Sequence, residues 1–503
     1  MTANLFTRLR ASLLREPGRP ALIWQGRAIS RGELLQRAGQ MAAELAALGV
    51  APGDRVAVQV EKSHENVAVF LAALQAGAVY LPLNVGYTMA ELDYFIGDAE
   101  PRVMVADPAN AAALTPLVEQ RGGRLVTLDA DGSGTLSAGA DARQPSTAVS
   151  SAGPDDLAAI LYTSGTTGRS KGAMLTHDNL WSNTQALIEA WGFTGDDVLI
   201  HALPLFHTHG LFVALDIGLA TGATIILLPR FDADEVIDLM RTATVLMGVP
   251  TFYTRLLASP RLTREAARHM RLFISGSAPL LAETHAQFTA RTGHAILERY
   301  GMTETGMNTS NPLGGERRPG SVGPPLPGVE VRVVDAEGAP LSPNQIGGIE
   351  VKGRNVFKGY WRQPEKTASA FRNDGFFITG DLGRLSEDGY LTIVGRDKDL
   401  IISGGFNVYP KEVEDVLNEL PGVAESAVIG VPHPDFGEAV VAVVVSSEPA
   451  NPPDETAVIA ATRATLAAYK RPKRVVICDA LPRNAMGKVQ KSELRKAHRA
   501  LFD

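Results

Sequence analysis

Ala158-Ala159-Ile160-Leu161-Tyr162-Thr163-Ser164-Gly165-Thr166-Thr167-Gly168-Arg169-Ser170-Lys171-Gly172 is an apolar run that breaks into glycines, hydroxyls and bases. The first four residues suit a buried strand bounded by turn signals. Gly165, Gly168 and Gly172 let backbone N–H groups converge on an anion with no Cβ in the way. The hydroxyls of Thr163, Ser164, Thr166 and Thr167 add donors and Lys171 adds charge, so the stretch has the chemistry of a phosphate-binding loop. It differs from the Walker A pattern, because Arg169 and Ser170 separate Gly168 from Lys171 and Gly172 follows the lysine. A plain surface turn is the alternative, and the density of donors directly after a buried strand disfavours it.

On either side of this loop, from Arg55 to Glu304, short β-type runs alternate with helical periodicity: Arg55 to Val60 then His64 to Gln75, Val198 to Ala202 then Leu211 to Leu219, Val245 to Val249 then Phe252 to Ala258. Arg271 to Ser275, Ala282 to Thr292 and His294 to Arg299 continue the series. Strand, helix, strand in repetition predicts an α/β class with parallel-rich layers, whose ligands bind at the carboxyl ends of strands. Beyond Glu304 the texture becomes Gly- and Pro-rich turns between short β runs, predicting a small antiparallel or barrel-like subdomain. The charged pentapeptide Gly395-Arg396-Asp397-Lys398-Asp399 then separates residues 1–395 from a smaller α+β domain, 396–503, with a hinge near Lys398. In that domain Glu455 to Ala468 reads as a helix and Arg474 to Cys478 as a buried strand, while Asp131 to Gly153 reads as a polar connector.

Composition narrows the function classes. Against 55 Asp+Glu stand 48 Lys+Arg, a net charge of −7, which disfavours nucleic acid as a partner held by bulk charge. The single cysteine, Cys478, excludes an internal disulfide. Met1 to Arg15 alternates Leu and Phe with Arg and reads as an amphipathic helix rather than a secretory signal or an Arg-rich transit peptide. The longest apolar runs fall far short of the ~20 residues that span a bilayer, so the expectation is a cytoplasmic protein without a membrane partner.

The loop resembles the signature of the acyl-adenylate-forming superfamily, which includes acyl-CoA synthetases, peptide-synthetase adenylation domains and firefly luciferase. Five further elements follow in that family's order: Tyr300-Gly301-Met302-Thr303-Glu304, Thr379-Gly380-Asp381, the Gly395–Asp399 pentapeptide, Gly404-Gly405-Phe406-Asn407 and Pro482-Arg483-Asn484-Ala485-Met486-Gly487-Lys488. The resemblance covers nearly the whole chain. It implies ATP, Mg²⁺ and CoA, with pyrophosphate first displaced by a carboxylate and AMP then displaced by a thiol.

By family position, Lys488 bridges the acid and the α-phosphate or ribose, Glu304 is the Mg²⁺ ligand, Thr303 touches the α-phosphate, and His207 walls the acyl pocket. A solvated surface lysine is the plain alternative for Lys488. Tyr300 offers a flat face to adenine, Gly301 and Met302 line the nucleotide, and Asp381 accepts from the ribose hydroxyls with Arg396 assisting. Gly276, Ser277 and Ala278 line the adenine and acyl pockets. The resemblance further implies that the small domain rotates about Lys398, bringing in first Lys488 and then the Gly404-Gly405 loop for the thiol. Acylation of Lys488 by a regulatory lysine acetyltransferase is a further expectation, since it would remove the charge needed in the first step.

Arg299, just before Tyr300, bears on the identity of the acid. An arginine facing a small pocket needs an anionic partner, because an unpaired buried charge costs on the order of several kcal/mol, and a second carboxylate of the substrate can supply it. A solvent-exposed Arg299, or one paired internally with Glu298, is the alternative, and strand alternation alone leaves the two even. Around it, Ile200 to Gly210, Leu246 to Tyr253 and Met302 to Ser310 are similar to malonyl-CoA synthetases, in which the equivalent arginine holds the distal carboxylate. On that resemblance malonate, with methylmalonate beside it, is the acid, Thr208 and Ser277 line its pocket, and Met307 limits the substituent at C2. Gly306 departs from the Asn common in those relatives. His207 and His209 lie two apart without an acidic or Cys companion, which does not favour a transition-metal site. The competing readings are a synthetase for another short acid and an adenylation enzyme loading a separate carrier protein; only 15 residues follow Lys488, so a fused carrier is not expected. A luciferase-like oxygenase needs a large aromatic acid, which Arg299 disfavours. A nucleotide sensor without turnover would have no use for Lys488 and Glu304.

Overall fold

The computed structural model describes residues 2–163, 170–484 and 487–502, so Ser164, Gly165, Thr166, Thr167 and Gly168 lie outside the described residues. Two large sheets are built almost entirely from the chain up to Ser310. In the first, six parallel strands run in the spatial order Leu297–Met302, Leu272–Ser275, Val245–Gly248, Val198–His201, Thr224–Leu227 and Pro20–Trp24. Antiparallel partners, Gly306–Ser310 and Arg27–Ser30, close its two edges. In the second, Leu157–Thr163, Val79–Pro82, Arg55–Gln59, Val103–Ala106 and Arg124–Thr127 are parallel, and Lys171–Thr176 and Gly359–Tyr360 extend one edge antiparallel. Strands such as Val245–Gly248 and Val103–Ala106 are buried at every residue, as parallel strands covered on both faces require.

The helix His64–Ala76 is buried on almost all sides and stacks against Arg31–Ala47, tying the two layers together. Ser30 and Glu33 form a capping box at the start of Arg31–Ala47, and Gly77 closes His64–Ala76 in the left-handed conformation. The small subdomain is a four-stranded antiparallel sheet, Val329–Val334, Gly347–Gly353, Phe377–Leu385 and Leu391–Arg396. A five-stranded sheet with its own apolar core, centred on Val423–His433 and Gly437–Ser446, follows the 3₁₀ turn Asp397–Asp399.

Several expectations are corrected. Lys171 and Gly172, read with the glycine-rich loop, belong to the strand Lys171–Thr176, in which Lys171 pairs antiparallel with Thr163. The strand expected over His294 to Arg299 is Leu297–Met302, because the carbonyls of Ala295 and Ile296 are taken by the side chains of Arg317 and His285 instead of a ladder. Leu211 to Leu219 is split between a π-helix, His209–Leu215, and an α-helix, Asp216–Thr221. The helix expected to Ala468 ends at Ala461, where Thr462 bonds back to the Ile459 carbonyl. The polar connector contains the helix Thr135–Asp141, which buries Leu136 and Ala140 one turn apart. Cys478 lies on an edge strand and is only half-buried. No described helix is long and apolar enough to cross a membrane.

Candidate active site

The candidate site residues fall into three groups. The first sits at the foot of the glycine-rich loop. The antiparallel pairing of Thr163 with Lys171 fixes both residues. Lys171 Nζ lies 4.7 Å from the centre of the Tyr360 ring, a cation–π contact. The Tyr360 hydroxyl donates to Glu304 Oε1 at 3.2 Å, and Thr163 Oγ1 lies 3.5 Å from the same oxygen. Glu304 is buried, and burial holds its carboxyl above the usual range. Among the described residues it has hydroxyl neighbours but no ion pair, which suits a divalent cation shared with phosphate oxygens: a hard metal of this kind takes one or two carboxylates and keeps its water. Thr303 is half-buried in the turn just before it. Tyr360 was not legible beforehand, since a tyrosine in Gly359-Tyr360-Trp361 reads as core.

The second group spans the small sheet and the large one. Asp381 and Arg396 face each other across their strands, with Arg396 Nε 2.7 Å from Asp381 Oδ1. The Tyr300 hydroxyl donates to Asp381 Oδ2 at 2.5 Å. Asp381 thus has partners on two sides, and the Tyr300 ring is fixed at its edge with its faces unengaged by that bond. Gly301 sits beside a bulge where a Cβ would lie 2.1 Å from Gly306 O and 2.6 Å from Met307 Cε, so only glycine fits. Met302 ends the strand, half-buried.

Lys488 comes to this group from the C-terminal domain. Asn484 N–H donates to the Lys488 carbonyl and Lys488 N–H donates to Asn484 Oδ1, and Gly487, at φ +73°, lies where a Cβ would be 3.5 Å from Thr251. The Lys488 side chain is exposed yet surrounded by protein; reduced solvation and the charge of Arg396 lower its ammonium to about 8, against the pull of Asp381. Lys398, in the 3₁₀ turn, is lowered by burial, and its neighbour Asp399 is held by Arg495 at 2.8 Å. Gly404 and Gly405, at φ +59° and +82°, form an exposed hairpin tip packed on Phe436 of their own domain. Among the described residues no hydrogen bond joins that tip to Lys488, Glu304 or Arg299.

The third group gathers around Arg299. Arg299 is 3% exposed, and its Nε and Nη2 have no hydrogen-bond partner. Burial lowers its guanidinium to about 9. Neither plain alternative holds: the side chain is not at the surface, and Glu298 turns to the other side of the strand, where it accepts from Gly320 N–H at 3.0 Å. Burial raises the Glu298 carboxyl to about 8, consistent with a group that has no arginine partner. Gly276 leaves room for Arg299 in this position, since a Cβ there would meet its Cζ at 2.4 Å.

Ser277 adopts φ +72°, a left-handed conformation that costs a non-glycine residue about 1 kcal/mol, and its Oγ lies 3.2 Å from His209 Nδ1. Ala278 follows, half-buried. His209 Nε2, Thr208 Oγ1 and Ser275 Oγ are buried and unpartnered, like the guanidinium. His207 accepts from His209 N–H at Nδ1, 3.2 Å away. Burial, then Arg299 and Lys488, lower its imidazole to about 4, so it is neutral near pH 7. Met307 is buried and clamped by Asn183, which bonds both its N–H and its carbonyl. Gly306, at φ +56°, has Asn183 Oδ1 2.6 Å from where a Cβ would be. Sequence reasoning had Arg299, His207, Thr208, Ser277 and Met307 but missed Ser275 and gave no role to His209, whose inward-facing nitrogen depends on the π-helical start of its segment. Among the described residues no three His, Cys, Asp or Glu side chains cluster as a metal site.

Residues 9–361 match the AMP-binding enzyme family and residues 412–488 its C-terminal domain. Malonate–CoA ligase of Arabidopsis thaliana is 37% identical over 491 residues, covering 91% of this chain and 80% of the relative. Feruloyl-CoA synthase of an Amycolatopsis species is 39% identical over 476 residues, 94% of each chain. The crystal structure of ATP-bound MatB from Rhodopseudomonas palustris superposes with a TM-score of 0.98 at 58% identity, over 100% of both chains.

Proposed function

The chain belongs to the AMP-binding enzyme family, and we propose from that premise that it is an ATP-dependent ligase joining malonate to CoA through an acyl-adenylate, with AMP and pyrophosphate released. The observation that carries the choice of acid is Arg299, buried with two unpaired nitrogens among three other unpaired polar groups. Sequence identity alone does not select the acid, because a feruloyl-CoA synthase and a malonate–CoA ligase lie at nearly equal distance. A hydrophobic aryl acid would leave those atoms unsatisfied, whereas the far carboxylate of a short diacid satisfies them. Methylmalonate, with one added methyl toward Met307, is the second acid the pocket would take.

One malonate carboxylate oxygen attacks the α-phosphorus of ATP, the bond from that phosphorus to the bridging oxygen breaks, and pyrophosphate leaves with the electron pair. Little covalent work falls to the protein, so positioning and charge dominate. Thr163, Ser164, Gly165, Thr166, Thr167, Gly168 and Lys171 would cradle the phosphates, with Thr303 and Lys488 at the α-phosphate. Glu304 would hold Mg²⁺, which when bound neutralises charge on the phosphate oxygens. Tyr300, Gly301, Met302, Gly276, Ser277 and Ala278 would enclose the adenine, and Asp381, oriented by Tyr300 and Arg396, would accept from the ribose hydroxyls. Neutral His207 and Thr208 would wall the acid. In the second step the CoA sulfur attacks the acyl carbon, AMP leaves, and the thiol proton passes to solvent; the Gly404-Gly405 tip would guide the thiol after the domain beyond residue 395 turns about Lys398. Soluble ATP and CoA as co-substrates support a cytoplasmic location. A lysine acetyltransferase acting on exposed Lys488 would regulate the first step by removing its charge.

Three outcomes follow from this reading. Arg299→Leu is expected to lose malonate turnover by about 10⁴-fold while gaining relative preference for acetate or octanoate; a variant that keeps its malonate preference over succinate, acetate and octanoate rules out the diacid assignment. Because Lys488 is needed as the ammonium, its useful form is present below about pH 8 and lost above it, so ATP–pyrophosphate exchange at low ATP should decline through that pH and vanish on enzymatic acetylation of Lys488. Exchange indifferent to both would remove Lys488 from the step. Lys398→Pro should slow thioester formation more than ATP–pyrophosphate exchange, and equal losses in the two assays would deny the hinge.

A further inference from the structure

The mechanism leaves one buried lysine without a task. Lys62 is 8% exposed, its Nζ donates to the His201 carbonyl at 2.7 Å, and the same nitrogen lies 2.9 Å from His201 Nδ1. Among the described residues no carboxylate pairs with it. Burial without such a partner pushes the ammonium well below the usual lysine range, but the charged and neutral amines both keep donors for His201. Because Lys62 fills the Nδ1 lone pair, the proton of neutral His201 sits on Nε2. That Nε2 faces the Gly210 carbonyl at 2.8 Å, so the network has one consistent direction: amine to Nδ1, Nε2–H to the carbonyl.

Gly210 is the second residue of the π-helix His209–Leu215, and π-helical turns recur at functional sites. A Cβ at Gly210 would lie 2.1 Å from Pro204 O, so the backbone there is held between Pro204 on one side and His201 on the other. The His209 side chain leaves this clamped segment. Its Nδ1 meets Ser277 Oγ at 3.2 Å and its buried Nε2 has no partner. Arg299 is the strongest charge acting on that imidazole. If Ser277 donates to Nδ1, His209 carries its proton on Nε2 and can donate to an anion held by the guanidinium.

We propose that Lys62, acting through His201 and the Gly210 carbonyl, is a positioning residue that aims His209 at the distal carboxylate of the acid and thereby helps select a diacid. The inference rests on the reading of the Arg299 pocket given above. A merely structural Lys62, capping the end of the strand Val198–His201, would affect all substrates alike.

The test compares Lys62→Met, Lys62→Gln, His209→Ala and the double variant Lys62→Met/His209→Ala, measuring kcat and the KM for malonate, ATP and CoA. Lys62→Met should raise the malonate KM by about tenfold, with the KM values for ATP and CoA changed less than about twofold. Lys62→Gln, which keeps a donor for His201 Nδ1, should recover most of the loss. On the His209→Ala background the Lys62 substitution should add less than about twofold, since its only route to the acid is gone. An unchanged malonate KM in Lys62→Met, an equal rise for all three substrates, a Lys62→Gln enzyme as impaired as Lys62→Met, or a full additional loss in the double variant would each overturn the proposal. His209→Ala with an unchanged malonate KM would instead overturn the pocket reading on which it rests. Should Lys62→Met not fold, His201→Gln serves in its place: its amide keeps one donor for the Gly210 carbonyl but no fixed tautomer, and the same selective rise in malonate KM is expected.

Discussion

A guanidinium sealed from water with two of its nitrogens idle is the constraint around which the acyl end of this molecule is arranged. Removing one partner of a buried ion pair typically costs about 3–5 kcal/mol, and Arg299 stands in that incomplete condition within its own chain. The surroundings are specialised to tolerate it. Gly276 leaves room for the side chain, Ser277 accepts a left-handed backbone, and strand alternation sends Glu298 to the opposite face to meet Gly320. Thr208, His209 and Ser275 contribute further unsatisfied atoms. An apolar replacement would stabilise such a site if stability were all that mattered, so the retained polarity points to a ligand that completes it.

The group proposed for the nucleotide is built on the opposite principle. There the charged groups are already matched: Asp381 with Arg396 and Tyr300, Lys171 on the face of Tyr360, Glu304 with Tyr360 and Thr163. These pairings hold side chains in fixed directions before any phosphate arrives, which is the preorganisation that electrostatic catalysis relies on. Lys488 is the exception, supplied from the smaller domain on a turn and lying where the charges of Arg396 and Asp381 oppose each other.

Much of this was legible in the residues. The alternation of apolar runs gave the layered α/β class because parallel strands buried on both faces read as short hydrophobic blocks, and the glycine and hydroxyl chemistry of residues 162–172 is what proposes a phosphate site there. The strand Lys171–Thr176 was not legible, since it begins with the polar Lys171-Gly172 and looks like loop until Thr163 pairs with it. Arg299 could be named but not oriented: alternation left inward and outward even, and a shift of the strand start from His294 to Leu297 depended on side-chain bonds from Arg317 and His285 far along the chain. His209, Ser275, Tyr360 and Lys62 were missed for a related reason. Lys62, His209 and Tyr360 carry their meaning in a contact with a residue distant in sequence, Ser275 in a buried hydroxyl without a partner, and nothing in their immediate neighbours signals it.

The most direct measurement is the crystal structure of the protein with ATP, Mg²⁺ and malonate. The account predicts the distal carboxylate of malonate within hydrogen-bond distance of Arg299 Nε and Nη2, with His209 Nε2 beside it and the near carboxylate toward the α-phosphate. A distal carboxylate bound elsewhere, with Arg299 turned to another partner of the chain, would contradict it.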